Sequence, residues 1–120
     1  MILADTSVWV DHFRRGNSRL IHCLEEGVVG CHDFVIGELA CGTFKNKQET
    51  LTLLGELPRL APAQHEEALE FVDAHRLYGK GIGWIDIHLL AAARLNRVKL
   101  WTLDKRLETV AAALDISASR

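Results

Sequence analysis

Two short apolar stretches near opposite ends of the chain each run into an aspartate and then into a helical pattern. Residues 2–4 (Ile-Leu-Ala) precede Asp5, and residues 100–103 (Leu-Trp-Thr-Leu) precede Asp104. Short apolar strands that alternate with helices are typical of a parallel sheet covered on both faces. In such sheets, ligands collect at the carboxyl ends of the strands. The sequence therefore predicts an α/β fold with Asp5 and Asp104 at corresponding strand ends.

The rest of the pattern supplies further strands and helices for this fold. Buried strands are predicted at residues 2–5, 28–31 and 98–103, and edge strands at 57–62 and 115–116. Helices are predicted at 7–15, 19–26, 34–41, 45–54, 64–77, 84–95 and 105–114. Asp33 is the expected N-cap of the third helix. The length of 120 residues suits a single domain over residues 1–120, with residues 117–120 as a loose tail.

Composition and charge exclude several classes of protein. Hydrophobic residues make up 48% and charged residues 25%, which is the balance of a globular chain and not of a disordered one. A net charge of -2 gives no strong non-specific attraction to nucleic acid, although it allows a local basic surface. The three cysteines form no C-x-x-C pair, so reduced thiols in a cytoplasmic protein are expected. Neither a signal peptide nor a bilayer-spanning apolar run is recognisable.

Glu38 and Asp86 are two further acids set among apolar residues at helical spacing. A buried ionised carboxylate without a partner costs several kcal/mol, so such an acid needs a cation, a metal or access to water. Each acid also has a purely structural interpretation. Asp5 and Asp104 could cap helices, Asp86 could interact with a helix dipole, and Glu38 could reach solvent at the rim of its helix.

Taken together, the four carboxylates predict a metal site. They are spread along the whole chain, which is how a site at the end of a parallel sheet is assembled. Clustered carboxylates repel and raise one another's pKa values, and a divalent cation relieves that repulsion. Oxygen ligands suit Mg²⁺ or Mn²⁺ better than zinc, and no spacing of histidines and cysteines indicates zinc. Such an ion can activate water and neutralise charge on a phosphodiester.

The ordered set of Asp5-Thr6-Ser7, Glu38, Asp86 and Asp104 resembles the PIN domain. Residues 2–9 (ILADTSVW), 86–93 (DIHLLAAA) and 100–104 (LWTLD) resemble the family's opening strand, its third-acid helix and its fourth-acid strand. The similarity covers essentially the whole chain, and the length resembles that of VapC-type toxins from toxin–antitoxin pairs. Each segment is common by itself, whereas the ordered set is fairly specific.

The resemblance implies a three-layer α/β/α sandwich with a mostly parallel central sheet of about five strands. It implies a Mg²⁺- or Mn²⁺-dependent endoribonuclease, in which activated water cleaves RNA and leaves a 5′-phosphate and a 3′-hydroxyl. Asp5, Asp86 and Asp104 would bind the metal directly or through water, and Glu38 would bind it or orient a water. The resemblance also implies a homodimer and a small antitoxin protein whose tail covers the site.

Hydroxyl and basic side chains complete the expected site. Thr6, Ser7 and Thr102 carry hydroxyls beside the acids, and Thr102 in particular is expected to orient them. The cations that could contact RNA phosphates are Arg14, Arg15, Lys45, Lys47, Lys80, Lys105 and Arg106. As scattered charges, they are equally compatible with a solvated surface. The histidines and tryptophans are expected to pack or to lie at the surface, although an exposed tryptophan could stack on an RNA base.

Other functions of α/β domains fit less well. A receiver-type phosphoacceptor domain needs an aspartate after its third strand, and residues 57–62 contain none. A haloacid-type phosphatase needs a second aspartate two residues after the first, where this chain has Ser7. A non-catalytic module on the same fold, built to bind RNA or a partner protein, remains the alternative to the nuclease.

Overall fold

A three-stranded parallel sheet organises the computed structural model, which describes residues 1–119. Its strands are β1 (Ile2–Ala4), β2 (Val29–Gly30) and β3 (Lys99–Trp101), in the order β2-β1-β3. Ile2 pairs with Val29 on one side and with Lys99 on the other. The first strand of the chain is therefore the centre of the sheet, which explains its apolar sequence.

The described residues form seven helices: α1 (Thr6–Arg15), α2 (Ser18–Glu25), α3 (Asp33–Ala40), α4 (Lys47–Gly55), α5 (His65–His75), α6 (Trp84–Asn96) and α7 (Lys105–Ala113). Each predicted helix is present, with ends that shift by one to two residues. Helix α1 follows β1 directly, and α7 follows β3 after two residues of turn and Asp104. The α/β class with a parallel sheet is therefore confirmed. The three-layer arrangement stays a prediction.

The prediction of about five strands is wrong. Two segments expected at the sheet edges each contribute only one parallel bridge, from Arg59 to Cys31 and from Ser117 to Leu100. Pro58 and Leu60 supply the hydrogen bonds of the first bridge, at 2.8 and 2.9 Å. Proline lacks a backbone N–H, so a segment flanked by Pro58 and Pro62 cannot extend its pairing far.

The tail was expected to be loose from residue 117 onward, but its first residues are held against β3. The amide of Ala118 donates to the carbonyl of Leu100 at 2.9 Å. The hydroxyl of Ser117 donates to both carboxylate oxygens of Glu108, at 2.9 and 2.7 Å. The last residue, Arg120, lies outside the described residues.

Helix α6 is the most deeply buried helix of the fold. An unbroken run from Ile87 to Ala93 is buried, and the helix packs against α5 and β3. Because its sequence is apolar around nearly the whole circumference, the helix can be covered on several sides. Leu3, Val8, Leu89 and Leu100 are each at most 1% exposed, and they join α6 to the sheet and to α1 in one core. That core fixes the first turn of α6, and hence Asp86, relative to the strand ends.

All three cysteines are free thiols, as expected: Cys23 and Cys31 are buried and Cys41 is exposed. No helix formed by residues 1–119 is long and apolar enough to cross a membrane.

The N-cap of α3 is His32 and not Asp33, which corrects the sequence prediction. The His32 backbone is extended, and its ring Nδ1 accepts a hydrogen bond from the Phe34 amide at 2.9 Å. Asp33 is the first residue of the helix and points outward to pair with Arg59. The His32 side chain is completely buried, and its Nε2 has no hydrogen-bond partner among residues 1–119. A neutral imidazole with its proton on Nε2 satisfies this geometry.

We predict that His32→Asn reduces the loss of stability at acidic pH. Burial lowers the pKa of His32 below its usual value of 6.5, so the unfolded chain takes up a proton before the folded one does. The free energy of unfolding therefore falls as the pH drops below that value. Asparagine keeps a capping oxygen and does not titrate, although it leaves space where the ring packed.

Denaturant unfolding between about pH 7.5 and pH 5 measures this effect. The variant should be less stable than the parent at the upper end and should lose less stability toward the lower end. Equal pH slopes for parent and variant would show that His32 is not the group that titrates. As a companion variant, His32→Ala should cost about 1 kcal/mol more than His32→Asn, because it also removes the cap.

Candidate functional site

Asp5 lies at the carboxyl end of the central strand and caps α1. Its Oδ1 accepts hydrogen bonds from the Ser7 amide at 3.0 Å and from the Ser7 hydroxyl. Its Oδ2 accepts from the Thr102 hydroxyl at 2.7 Å. The side chain is only 5% exposed, and burial raises its pKa even though these hydrogen bonds act in the opposite direction. Asp5 is therefore a buried carboxylate whose orientation is held by the hydroxyl groups of Ser7 and Thr102.

Thr102 connects the ends of the two strands. Its Oγ1 donates to Asp5 and accepts from the Asp104 amide at 3.0 Å. Asp104 then caps α7, since its Oδ1 accepts from the amides of Arg106 and Leu107 at 2.9 and 3.2 Å. Parallel pairing thus brings both strand-end acids to one edge of the sheet, with the Thr102 hydroxyl between them.

Ser7 ties α1 to the turn after β3. Its Oγ accepts from the Leu103 amide at 2.9 Å while it donates to Asp5. The hydroxyl oxygens of Ser7 and Thr102 lie 3.4 Å apart. Both predicted hydroxyl positions beside Asp5 are therefore occupied by groups that fix its carboxylate in one orientation.

Glu38 reaches the same edge from α3, which packs against α1. Its side chain is exposed, and its Oε1 accepts from the Thr6 hydroxyl at 2.6 Å. An acid on an apolar helix needs a cation, a metal or access to water. Glu38 has access to water, and it also accepts a hydrogen bond from a hydroxyl group. Thr6 therefore contacts Glu38, while Ser7 and Thr102 contact Asp5.

Asp86 approaches from the first turn of α6. Its Oδ2 accepts from the Gly83 amide at 3.1 Å, which closes the start of the helix. The side chain is half-buried, and burial raises its pKa; the negative charges of Asp104 and Glu38 raise it further. Three of the four predicted acids are therefore electrostatic neighbours. Asp5 joins them through Thr102 and Asp104.

The glycine-rich loop before α6 passes close to the start of α7. Gly79 and Gly81 have positive φ angles of 68° and 77°, which favour glycine. A Cβ atom at Gly81 would lie 2.8 Å from the Cδ of Arg106. The absence of a side chain at Gly81 thus lets Arg106 lie over the loop that leads to Asp86.

The donor chemistry of this edge suits a divalent cation. Glu38, Asp86 and Asp104 each use one carboxylate oxygen in a hydrogen bond to the protein and keep the other free of such bonds within residues 1–119. Oxygen donors of this kind match the preference of Mg²⁺ and Mn²⁺. As positioned, however, no three histidine, cysteine or acidic side chains among the described residues converge closely enough to hold a metal ion.

Two clefts open on either side of Glu38. The basic cleft, of about 440 Å³, is lined by Thr6, Val10, Phe13, Arg14, Glu38, Leu39, Gly42, Thr43, Phe44 and Lys45. The aromatic cleft, of about 400 Å³, is lined by Asp33, Phe34, Gly37, Glu38, Cys41, Trp84 and Ile85. A further cleft of about 310 Å³ between α5 and α6 contains none of the four acids, so the two clefts at Glu38 are the ones relevant to chemistry here.

The predicted cations divide into engaged and available groups. Arg15 pairs with Asp11 at 2.6 Å, and Lys47 donates to backbone carbonyls at the end of α3 at 2.6 and 2.7 Å. Arg14 and Lys45 line the basic cleft and have no hydrogen-bond or ion-pair partner within the described part of the chain. Asp11 lies four residues before Arg15 on α1, a spacing from which this pair could have been predicted, whereas the carbonyls that bind Lys47 lie at the end of α3 and give no such sequence signal.

The chain resembles known proteins in family, in sequence and in fold. Residues 2–113 match the PIN domain family. The chain is 42% identical over 113 residues to proteins named Ribonuclease VapC32 in two strains of Mycobacterium tuberculosis, CDC 1551 / Oshkosh and H37Rv. Each alignment covers 93% of this chain and 91% of the relative.

Solved structures with the same fold share less sequence. The structure of FitAB bound to the IR36 DNA fragment is 20% identical, with a TM-score of 0.65, covering 98% of this chain and 92% of that one. FitAcB from Neisseria gonorrhoeae is 22% identical, with a TM-score of 0.62 and coverages of 98% and 95%. PAE2754 from Pyrobaculum aerophilum is 14% identical, with a TM-score of 0.62 and coverages of 91% and 78%. At these identities the likeness is one of fold.

We predict that Asp86→Asn stabilises the protein at neutral pH in the presence of a chelator. The folded state raises the pKa of Asp86 from 3.8, so its ionisation costs folding free energy. That cost is absent below the unfolded-state pKa and is fully present once the pH has risen above the folded-state pKa. Asparagine keeps an oxygen for the Gly83 amide and removes the charge that faces Asp104 and Glu38.

Thermal unfolding in EDTA should show a midpoint about 2–4 °C higher for the variant at neutral pH, with no difference near about pH 3.5. Added Mg²⁺ should raise the midpoint of the parent more than that of the variant. Asp73→Asn, on the exposed face of α5, is the matched control and should change neither value. A variant less stable than the parent in EDTA would mean that Asp86 is not under electrostatic strain.

Proposed function

The chain belongs to the PIN-domain family, and from that premise we propose that it is a divalent-metal-dependent endoribonuclease. The observation that carries the proposal is the meeting of Glu38, Asp86 and Asp104 at the sheet edge, beside a buried Asp5 that hydroxyl groups orient. A relative that shares 42% of its residues and bears the name of a ribonuclease supports RNA as the substrate.

We further propose that the protein is the toxin of a toxin–antitoxin pair and acts in the cytoplasm. The relatives carry the VapC name, and two solved structures of the same fold are those of FitAB bound to a DNA fragment and of FitAcB. A small antitoxin protein is the proposed partner, and a homodimer is the proposed assembly. Reduced cysteines agree with a cytoplasmic location.

Asp5, Asp86, Asp104 and Glu38 are the proposed metal-binding and catalytic residues. When bound, Mg²⁺ or Mn²⁺ supplies positive charge that activates water and stabilises the charge on the phosphodiester. A cation also removes the repulsion that raises the pKa of Asp86. The need for such a cation would account for the lack of any ion pair between these acids and an arginine or lysine within residues 1–119.

The surrounding side chains position these acids and the substrate. Thr6 holds one oxygen of Glu38 and leaves the other without a hydrogen bond within residues 1–119. Ser7 and Thr102 hold the carboxylate of Asp5 in one orientation. Arg14 and Lys45, in the basic cleft beside Glu38, offer positive charge to the phosphates that flank the bond to be cut.

The second candidate function is a non-catalytic module that binds RNA or a partner protein through the same edge. One observation favours it: among the described residues, no three potential ligands converge on a metal position as they stand. Cleavage assays separate the two candidates, because a binding module leaves the RNA intact in every metal condition.

We predict that purified protein cleaves RNA only with Mg²⁺ or Mn²⁺ and leaves 5′-phosphate ends. Asp5→Asn should lower the rate at least about 100-fold, because the buried carboxylate is placed to bind the ion. Sequencing of 5′-phosphate ends after induction in bacteria identifies the RNA target and the cut site. The matched control Asp73→Asn should cut like the parent. If Asp5→Asn cuts as well as the parent, or if chelation has no effect, the proposed site is wrong.

We predict that Thr102→Val slows cleavage by about 10- to 100-fold while the protein remains folded. The change keeps the shape of the side chain but removes the hydroxyl that joins Asp5 to the Asp104 amide. The buried Oδ2 of Asp5 and the partly buried Asp104 amide then lose this partner, so a loss of about 1–3 kcal/mol in the free energy of unfolding should accompany it. Thr109→Val is the control, since its hydroxyl contacts only a carbonyl on the outer side of α7. An unchanged rate for Thr102→Val would show that the hydroxyl does not position Asp5.

A further inference from the structure

The aromatic cleft presents two rings to solvent. Phe34 is 37% exposed and Trp84 is 40% exposed, whereas Trp9 and Trp101 are only 4% and 5% exposed. Single exposed apolar residues are ordinary on protein surfaces, but two aromatic residues that line one cleft offer a surface for a flat apolar ligand. Ile85 lies between them on the cleft wall.

Histidine rings hold both aromatic residues in fixed orientations. The ring centroids of Trp84 and His88 lie 4.7 Å apart at an interplanar angle of 86°, and those of Trp84 and His65 lie 5.5 Å apart at 63°. Phe34 meets His32 at 5.1 Å and 62°, and His88 at 4.9 Å and 64°. These edge-to-face contacts mean that the rings lose little freedom when a ligand stacks on them.

The cleft is continuous with the candidate active site. Glu38 lines it and lies one helical turn after Phe34 on α3. Trp84 begins α6 in the same turn as Asp86, but residues two apart on a helix do not face each other, so the cleft meets the candidate site through Glu38. A group bound between the rings therefore lies beside Glu38.

Charge decides which part of an RNA fits this cleft. Its lining includes Asp33 and Glu38 and no lysine or arginine, whereas the basic cleft on the other side of Glu38 includes Arg14 and Lys45. Because Asp33 is paired with Arg59 and Glu38 lines both clefts, the clefts differ mainly in Arg14 and Lys45, which attract phosphates to the basic cleft. An uncharged, flat base suits the aromatic cleft, and stacking on aromatic rings is the usual way in which proteins hold unpaired bases.

We propose that Phe34 and Trp84 form a subsite that stacks on one unpaired nucleobase next to the phosphodiester to be cut. This inference rests on the proposed ribonuclease function and adds to it a base-binding subsite made by two side chains outside the four acids. A base inside a duplex is already stacked on its neighbours and cannot enter the cleft.

Binding to a short single-stranded RNA of mixed sequence tests the subsite. The Asp5→Asn background in Mg²⁺ keeps the RNA intact, and quenching of tryptophan fluorescence reports on Trp84, because the other two tryptophans are buried. We expect saturable quenching by the single strand, little by the duplex of the same sequence, and weaker binding by a strand with abasic positions. Trp84→Leu should weaken binding about 5- to 150-fold, as measured by filter binding.

Matched variants separate stacking from general damage. Trp84→Phe keeps an aromatic face and should retain most of the affinity, while Leu53→Ala truncates a more exposed apolar side chain on α4, outside the aromatic cleft, and should have no effect. Thermal unfolding of each variant shows that it is folded. If Trp84→Leu, or the abasic strand, binds like its parent, the subsite is overturned.

The same variants in the Asp5-containing protein distinguish the two proposals. Metal-dependent cleavage that Trp84→Leu leaves unchanged in kcat/KM overturns the subsite and keeps the nuclease. Binding that depends on Trp84, without any cleavage, supports the subsite and overturns the nuclease. A Trp84→Leu change that weakens binding of a co-expressed partner protein, but not of RNA, assigns the cleft to protein docking and overturns the subsite.

Discussion

The site depends above all on the parallel pairing of β1 with β3. Ala4 pairs with Trp101, so the next residue on each strand, Asp5 and Thr102, must come side by side at the same edge. The hydrogen bond from the Thr102 hydroxyl to Asp5 follows from that register. A shift of the pairing by one residue would turn each of these side chains to the opposite face of the sheet. The register therefore determines both the core and the position of the first carboxylate.

Electrostatics at this edge works against the stability of the fold. Burial raises the pKa of Asp5, and burial together with two neighbouring acids raises that of Asp86. Neither acid has a lysine or arginine partner among residues 1–119. A structure selected for stability alone would pair these groups or replace them with amides. Retained repulsion of this kind is typical of sites where a bound cation is part of the working state.

The sequence was informative where one-dimensional spacing determines three-dimensional position. The positions of Asp5 and Asp104 could be predicted because each acid follows a strand and precedes a helix. The position of Asp86 could be predicted because it lies in the first turn of a helix. The two edge strands were overestimated, since the extent of an edge strand depends on partners and on the prolines at 58 and 62. His32 was missed as the N-cap of α3 because histidine is not among the favoured capping residues. In the structure its ring is buried and accepts a hydrogen bond from the Phe34 amide. The aromatic cleft was also invisible, because its rings come from separate helices and are oriented by histidines of three different elements.

The order β2-β1-β3 also has a consequence for the time at which the site can form. The central strand is synthesised long before its partner β3. Asp5 and Thr102 are separated by 97 positions, so a growing chain holds the first acid long before it holds the residues that orient it. Contacts between such distant residues also make folding slow. The edge that carries all four acids can therefore assemble only after the ribosome has passed the codon for Asp104.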